Sequence, residues 1–384
     1  MNTDENSAIR DSVASLCKEF PNEYWRDLDK NRDYPKEFVA AMTRAGFLSA
    51  LIPEEFGGSG LGLSSACIIL EEIHKNGCNA GACHAQMYTM GTLLKHGSPE
   101  QKSSWLPKIA SGEIRLQAFG VTEPTSGSDT LSIRTTAVKK GDQYIINGQK
   151  IWTSRAEYSD FMLLLVRTTA KEDVVKKGDG LSVIMVDMNE AKNNGLTIRP
   201  IRTMMNHSTT EVFFDNVTVS EKNLVGQEGK GFRYILDGMN AERSLIAAEC
   251  LGDAQWFIKK ATDYANERNV FGKQIGANQA IQFPIARAYA SFRAASLVVM
   301  DAARKFDAGD KCAEEANIGK MLASEASWEA AEMCVQTFGG FAFAEEYDIE
   351  RKFRETRLYQ VAPISTNLIL AYIGQNVLGL PRSY

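Results

Sequence analysis

The chain has 384 residues, of which 44% are hydrophobic and 24% charged, and this length is typical of two or three domains. That composition is close to the average of globular proteins and argues against a disordered chain, a collagen-like repeat or a disulfide scaffold. With 43 Lys and Arg against 48 Asp and Glu the net charge is −5, so the chain lacks the basic excess that favours nucleic-acid binding.

Up to about residue 118 the pattern is helical. Apolar residues recur three and four positions apart in Glu37–Ala45 and in Ser64–His74. Between these segments, residues 55–62 hold a cluster of glycines. No strand, GxGxxG sequence or Lys-Ser/Thr pair accompanies the cluster, so we interpret it as a turn between helices rather than a phosphate-binding loop.

From about residue 119 to residue 225 the period becomes two. The strand-like runs are Tyr144–Thr153, Phe161–Thr168, Leu181–Met188, Leu196–Ile201 and Glu211–Val219. Turn sequences rich in Asn, Gly and Asp separate them, and no helix intervenes. The pattern predicts a small antiparallel barrel or sandwich, and we expect a barrel.

Helical periodicity then returns and continues to the end of the chain. The long amphipathic segments are Phe232–Glu267, Gln279–Phe306, Cys312–Phe338 and Ile364–Leu378. Four such segments predict a four-helix bundle. The predicted fold is thus mainly α with a central antiparallel β domain: an N-terminal helical domain (1–118), a β-barrel (119–225) and a four-helix bundle (226–384).

The seven cysteines are scattered, and their odd number favours free thiols in a reducing compartment. His74, Cys78, Cys83 and His84 form the densest group, but their spacing matches no zinc module, so we expect packing and no metal. The first residues are acidic and polar and lack the basic-then-apolar pattern of a signal peptide, and no run approaches the roughly 18 apolar residues of a membrane span. We therefore expect a cytoplasmic protein with neither a membrane nor a nucleic-acid partner.

One position in the first long C-terminal helix is unusual. Ile235, Met239, Glu242 and Ile246 are spaced to share one face, which places a carboxylate on an apolar stripe. Burial disfavours the charged form of a carboxyl and makes it a base that is useful near neutral pH. The alternative is a glutamate at the edge of the stripe, paired with a basic neighbour such as Arg243.

Four segments, in order along the chain, resemble the signatures of acyl-CoA dehydrogenases. The segments are Gln117–Asp129, Asn147–Ser154, Glu267–Gly272 with Gln279 and Gln282–Phe283, and Gln336–Gly340 with Glu346, Tyr347, Glu350, Arg351 and Arg354. The resemblance implies FAD bound between the β-barrel and the bundle, an acyl-CoA substrate, a homotetramer built as a dimer of dimers, and electron transfer to an electron-transfer flavoprotein.

The resemblance also implies roles for single residues. It places at the flavin, or at the start of the acyl-CoA, Phe119, Val121, Thr122, Gly127, Ser128, Trp152, Thr153 and Ser154. The residues that it places at the cofactor of a neighbouring subunit are Arg268, Phe271, Gln279, Gln336 and Gly340. The residues that it places near the adenine half of the cofactor are Ser365 and Asn367. The substrate-binding residues that it implies are Ser128, Asn240 and Arg243.

The catalytic base is where the chain departs from many members of that family. Those members carry it as a glutamate in a C-terminal loop, and Pro363 occupies that position here. Members that resemble isovaleryl-CoA and long-chain dehydrogenases carry it in a Glu-Arg pair on the bundle helix, which Glu242 and Arg243 match. The resemblance therefore implies Glu242 as the catalytic residue.

Pro363 raises a second question, because the family uses a backbone N–H at this position to bind the thioester oxygen and proline has none. Either a neighbouring N–H such as that of Ile364 replaces it, or the reaction depends less on this donor.

The reaction that the resemblance implies is FAD-dependent α,β-dehydrogenation of an acyl-CoA, with a short or branched acyl chain expected. The alternatives are the enoyl-CoA reductase direction, a flavin-supported elimination, which retention of Glu242 argues against, and a non-catalytic acyl-CoA or FAD-binding paralogue. Tyr88, Met90, Met204 and Met205 are either pocket or core residues.

Overall fold

The computed structural model describes residues 3–382. The α-helices are α1 (Thr3–Cys17), α2 (Asn22–Asn31), α3 (Lys36–Arg44), α4 (Leu63–Lys75), α5 (Gly81–His96), α6 (Pro99–Ser111), α7 (Met188–Lys192), α8 (Gly231–Glu267), α9 (Gln279–Asp307), α10 (Ala313–Phe338), α11 (Ile349–Arg357) and α12 (Thr366–Tyr372). The strands are β1 (Ala118–Gly120), β2 (Thr136–Lys140), β3 (Gln143–Ser154), β4 (Phe161–Arg167), β5 (Leu181–Asp187), β6 (Leu196–Pro200), β7 (Thr209–Ser220), β8 (Leu224–Val225), β9 (Asn269–Val270) and β10 (Lys273–Gln274).

The chain forms two compact units. The first, called the helical unit below, comprises the described residues up to Asn31, Gly62–Ala80, and those from Asn240 onward. The second, called the mixed unit, comprises Arg32–Leu61 and Gly81–Met239. The unit boundary at Asn240 falls inside α8, two residues before Glu242.

The sheet of the mixed unit has the strand order β6-β7-β3-β2-β4-β5-β8, with β1 also paired to β4. Its central strand β4 reads Phe-Met-Leu-Leu-Leu-Val-Arg and is buried from its second residue on, as expected for a strand that is covered on both faces. The long strand β3 alternates instead, burying Tyr144, Ile146 and Lys150. Five strands were predicted within about two residues of their observed ends.

The prediction of a closed antiparallel barrel was wrong. Within residues 3–382 no ladder joins β6 to β8, so the strand path stays open. Two of the ladders, β1–β4 and β2–β4, are parallel, although the others are antiparallel. The missed strands β1, β2 and β8 are short or mostly exposed, and they therefore lack the alternation that marked the five predicted strands.

The core of the helical unit is built on small side chains. Alanines recur seven residues apart on its long helices, namely Ala247, Ala254 and Ala261 on α8, Ala288 and Ala295 on α9, and Ala323 and Ala330 on α10. This spacing returns the same small side chain to one face every second turn, so neighbouring helices can approach closely. Gly319 on α10 shows how closely, since a Cβ there would lie 3.2 Å from a methyl of Val299 on α9.

Three of the four predicted bundle helices match α8, α9 and α10 within about two residues. The fourth, predicted over Ile364–Leu378, is instead the short α12 followed by a π-helical turn at Ile373–Val377. Helix α11 was not predicted, because it has only two apolar residues among nine.

The glycine cluster at residues 55–62 is a turn, as predicted, entered through a 3₁₀ turn at Glu54–Phe56 and followed directly by α4. Among residues 3–382, no helix combines the length and the apolar character needed to cross a membrane.

Candidate active site

Glu242 lies on α8 in the helical unit and is 7% exposed. Burial raises the pKa of its carboxyl to about 7, and the positive charge of Arg243 only partly opposes this shift. The carboxylate makes no hydrogen bond or ion pair within the described part of the chain. The interpretation as an edge residue paired with Arg243 is therefore wrong, and the expected burial of the carboxyl is confirmed.

The other side chains near Glu242 form a small polar group. Arg243 donates from Nη1 to Asn240 Oδ1 over 3.0 Å, and its buried Nε has no hydrogen-bond partner among residues 3–382. Burial lowers the pKa of the Arg243 guanidinium, against the charge of Glu242. Cys312 precedes α10, and burial raises the pKa of its thiol while Asn240 and the charge of Arg243 partly oppose this shift. A guanidinium with an unused buried donor is suited to an anionic or carbonyl ligand.

In the mixed unit, a β-bulge determines the position of Trp152. The register between β3 and β7 shifts between Lys150 and Thr153, and Trp152 adopts a φ of 60°. Its indole is 58% exposed. Positive φ is rare for a bulky residue and bulges commonly redirect a side chain beside a functional site, so this exposed ring is a candidate ligand surface.

A buried ion pair fixes the loop opposite that bulge. Lys150 donates from Nζ to Val121 O and to Glu123 Oε1, both over 2.9 Å, and the Thr122 carbonyl accepts from the Ile151 N–H. The Thr122 N–H and hydroxyl have no intramolecular partner within residues 3–382. The loop therefore presents unused donors on a rigid backbone. Sequence reasoning missed Lys150, although its place in the alternation of Tyr144 and Ile146 marks it as inward-facing.

The remaining predicted residues of this loop region are more open. Phe119 on β1 is half-buried and meets Tyr88 edge-on, with ring centroids 5.7 Å apart, whereas Gly127 and Ser128 are exposed. Of the four proposed pocket-or-core residues, Met90 is fully buried in the core and Met204 is 57% exposed.

The residues expected at a neighbouring subunit's cofactor all lie on the surface of the helical unit. These exposed residues are Arg268, Phe271, Gln279, Gln336 and Gly340. Arg268 stacks over the Phe341 ring at 5.7 Å, one residue after Gly340. Phe271 is fully exposed at the tip of the β9–β10 hairpin with a φ of 52°. A bulky side chain held in that conformation and left in solvent suggests a binding role.

Ser365 and Asn367 stand at the start of α12. The Ser365 side chain accepts from the Leu368 N–H and so caps the helix, while Asn367 is exposed. Capping of α12 therefore explains the presence of Ser365 even if its side chain binds no ligand.

Arg351 of the C-terminal signature pairs with Glu355 over 2.8 Å and so belongs to a buried charge network. His74, of the proposed cysteine-histidine group, bonds Asp253 through Nδ1 at 2.8 Å, and Lys352 on α11 pairs with Asp253 at 2.5 Å and with Glu355 at 3.1 Å. Although burial raises the pKa of the Asp253 carboxyl, the charges of Lys352 and His74 hold it below its usual range. No group of three His, Cys, Asp or Glu side chains within residues 3–382 is placed to hold a metal ion.

Comparison with known families identifies the chain. The model of the acyl-CoA dehydrogenase C-terminal domain matches residues 229–378, that of the N-terminal domain residues 3–113 and that of the middle domain residues 118–217. The chain belongs to the acyl-CoA dehydrogenase family. It is accordingly an oxidoreductase, and the cofactor of its family is FAD.

Individual relatives agree with this assignment. Acyl-CoA dehydrogenase FadE12 of Mycobacterium tuberculosis is 32% identical, over 100% of this chain and 98% of its own. The 3-(aryl)acrylate reductase of Clostridium sporogenes is 31% identical over 98% and 99%. The structure of butyryl-CoA dehydrogenase from Megasphaera elsdenii superposes with a TM-score of 0.91 at 27% identity, covering 98% of this chain and 99% of that one.

The residues of this acyl-CoA dehydrogenase fit a flavin. Thr153 Oγ1 is buried without a hydrogen-bond partner among residues 3–382, and Thr153 directly follows the exposed Trp152 in the chain. A flavin offers hydrogen-bonding ring edges and a flat face, which match an unused hydroxyl, the free donors of Thr122 and an aromatic wall.

Proposed function

We propose that this acyl-CoA dehydrogenase oxidises a short or branched acyl-CoA to the trans-2-enoyl-CoA, with Glu242 as the base. The observation that carries the proposal is a buried carboxylate whose pKa is raised to about 7 and which no hydrogen bond or ion pair within residues 3–382 engages. A carboxylate in that state is half deprotonated at neutral pH and free to accept a proton.

The reaction needs two hydrogens to leave the acyl chain. Glu242 accepts the proton from Cα, and the electron pair of that C–H bond forms the new Cα–Cβ π bond as the Cβ hydrogen departs with its own pair. Bound FAD supplies the two-electron acceptor for that hydride. Thr122, Thr153 and Ser154 would hold the ring edges and Trp152 its face, while Arg243 and Asn240 bind and orient the CoA thioester, with Ser128 at its entrance.

Several further features belong to the same proposal. The electrons pass onward to an electron-transfer flavoprotein. The exposed Arg268, Phe271, Gln279, Gln336 and Gly340 reach the cofactor of a neighbouring subunit in a homotetramer, and Asn367 lies near its adenine half. Large apolar side chains left exposed on the helical unit, such as Phe271 and Phe343, support a covered surface of this kind.

A second candidate is the reverse direction, reduction of an enoyl-CoA. The relatedness to a 3-(aryl)acrylate reductase supports it. Because proton transfer at Cα is reversible, Glu242 serves either direction, and the redox partner decides which one operates.

The test is anaerobic mixing of the FAD-loaded protein with a panel of acyl-CoA thioesters. We expect the flavin absorbance to bleach with a short or branched member. Glu242→Gln should bind FAD and product but bleach at least about 10³-fold more slowly, since a general base commonly contributes about 10²–10⁴.

Adding Pro363→Glu to that variant should not restore the rate, because the neighbouring residue is the bulky Ile364. Bleaching by Glu242→Gln at the wild-type rate contradicts the assignment of the base. A spectral shift without bleaching for every thioester indicates a binding protein instead.

A further inference from the structure

Lys320, on α10 of the helical unit, is a fully buried lysine without a carboxylate partner. Its side chain is 0% exposed, and within residues 3–382 it forms no ion pair with Asp or Glu. The side chain makes one hydrogen bond in the described part of the chain, from Nζ to the Ile364 carbonyl over 2.7 Å. Burying an ammonium group with only one neutral hydrogen-bond acceptor lowers the stability of the folded protein. The position of Lys320 therefore needs a functional explanation.

The charge environment of Lys320 includes Arg243, the residue that follows the proposed base. Burial lowers the pKa of Lys320 to about 8, and the positive charge of Arg243 lowers it as well. The Cys250 thiol and Glu325, which lies on the same helix, oppose this shift. Arg243 directly follows Glu242 on α8. The side chains of α8 and α10 and the segment before α12 therefore converge around Lys320.

Residues 361–365, where Lys320 binds the Ile364 carbonyl, hold two N–H groups without an intramolecular partner among the described residues, those of Ile364 and Ser365, and only that of Ile364 directly follows Pro363. The N–H groups of Val361 and Ala362 both bond the Leu358 carbonyl at 2.9 Å, and Pro363 has none. The Ile364 N–H has no intramolecular partner among the described residues. Holding the Ile364 carbonyl fixes the peptide plane between Ile364 and Ser365, which limits rotation about the Ile364 backbone and so the directions that its own N–H can take.

We propose that Lys320 is a positioning residue, which holds the Ile364 backbone so that its N–H donates to the thioester oxygen of the substrate. The inference rests on the proposed function, in which removal of the α-proton by Glu242 makes that oxygen increasingly negative. A carboxylate is too weak a base for an α-carbon unless a donor stabilises the developing enolate oxygen. The Ile364 N–H supplies this donor in place of the one that Pro363 lacks.

The test compares Lys320→Met, which keeps the shape and loses the donor, with Lys320→Arg, which keeps a charged donor. The probe is a 2-enoyl-CoA labelled with ¹³C at the thioester carbonyl, and its C=O stretching frequency is measured in the bound state by difference infrared spectroscopy. We expect Lys320→Met to shift this frequency toward its value in water and to slow flavin bleaching by about 10²-fold, with little change in substrate binding. Lys320→Arg should restore part of both.

Lys352→Met is the matched control, because Lys352 is also fully buried in the helical unit but pairs with Asp253 and Glu355. It should lower the thermal midpoint and leave the carbonyl frequency unchanged. A folded Lys320→Met protein with the wild-type frequency and rate overturns the proposal, as does an equal frequency shift in Lys352→Met. If Lys320→Met does not fold, Lys320→Leu, which also lacks a donor, takes its place under the same criteria. The wild-type response and the Glu242→Gln variant test the proposed function separately, so the two failures are distinguishable.

Discussion

Glu123 in the mixed unit and Glu242 in the helical unit are 5% and 7% exposed, yet their pKa values move in opposite directions. Burial alone raises the pKa of both carboxyls. At Glu123 the charge of Lys150 and hydrogen bonds from the N–H groups of Thr135 and Arg134 outweigh it. At Glu242, among residues 3–382, only the charge of Arg243 opposes the effect of burial. The local partners, rather than the depth of burial, decide whether a buried carboxyl is structural or basic.

The two sites also differ in what they hold. Glu123 and Lys150 bind each other, and Lys150 also binds the Val121 carbonyl, so these two charges stabilise the conformation of the loop at residues 121–123. Glu242 fixes nothing within the described residues, and its proton affinity remains available for chemistry. A buried glutamate therefore stabilises a loop in the mixed unit, whereas in the helical unit it is a candidate catalytic base.

The largest effect is expected from Glu123→Gln. The change leaves Lys150 buried without its counter-charge, which typically costs about 3–5 kcal/mol in the free energy of unfolding. We expect the thermal midpoint of the FAD-loaded protein to fall by about 10 °C, together with its FAD content. Combining Glu123→Gln with Lys150→Met removes both charges and should recover much of the loss. A single variant as stable as the double variant would show that the pair is not the clamp described.

The second effect concerns the ionisation of Glu242, which lowers the free energy of unfolding by about 3 kcal/mol at high pH. Its carboxyl titrates at about 7 in the folded protein and at about 4.5 when unfolded. Between these values the folded state keeps a proton that the unfolded chain releases, so stability falls as pH rises and the full penalty is present above pH 7. Glu242→Gln removes the titrating group.

The measurement is the thermal midpoint of Glu242→Gln relative to wild type, at pH 5 and at pH 8. We expect the variant to gain on wild type as the pH is raised. Glu113→Gln, at a side chain that is 63% exposed, is the control and should show the same difference at both pH values. A gain for Glu242→Gln that does not depend on pH would mean that its carboxyl is not the buried acid inferred above.

The sequence predicted the burial of Glu242 but not the ion pair that distinguishes Glu123 from it. Periodicity alone put Glu242 on a buried face, and the structure confirms its burial. The same argument applies to Lys320, which shares a face with Ala316 and Ala323, and to Lys150 on β3; neither was noticed, because a lysine in a polar motif is easily taken as exposed. What periodicity cannot supply is the partner, since Glu123 and Lys150 lie 27 residues apart in sequence.

The fold shows the same division. Elements with an apolar face, such as β4 and α9, were predicted to within about two residues. Helix α11 was not predicted, because its buried face consists largely of charged and polar residues, including Arg351, Lys352 and Glu355. These side chains are buried only because partners from distant segments, such as His74 and Asp253, neutralise and bond them. No local pattern of hydrophobicity encodes such a face.

The smallest expected effect tests the one charge that opposes burial at Glu242. Arg243→Met removes it, so the pKa of the Glu242 carboxyl should rise further, by on the order of one pH unit. The pH profile of kcat/KM reports the base of the free enzyme. Because the base must be deprotonated, activity rises with pH through about 7 in the wild type, and the rise should lie at higher pH in the variant. Arg243→Lys keeps the charge and should leave the midpoint near its wild-type value. A variant profile displaced to lower pH would mean that the charge of Arg243 does not oppose burial at Glu242, and the explanation of the contrast with Glu123 by local partners would then fail.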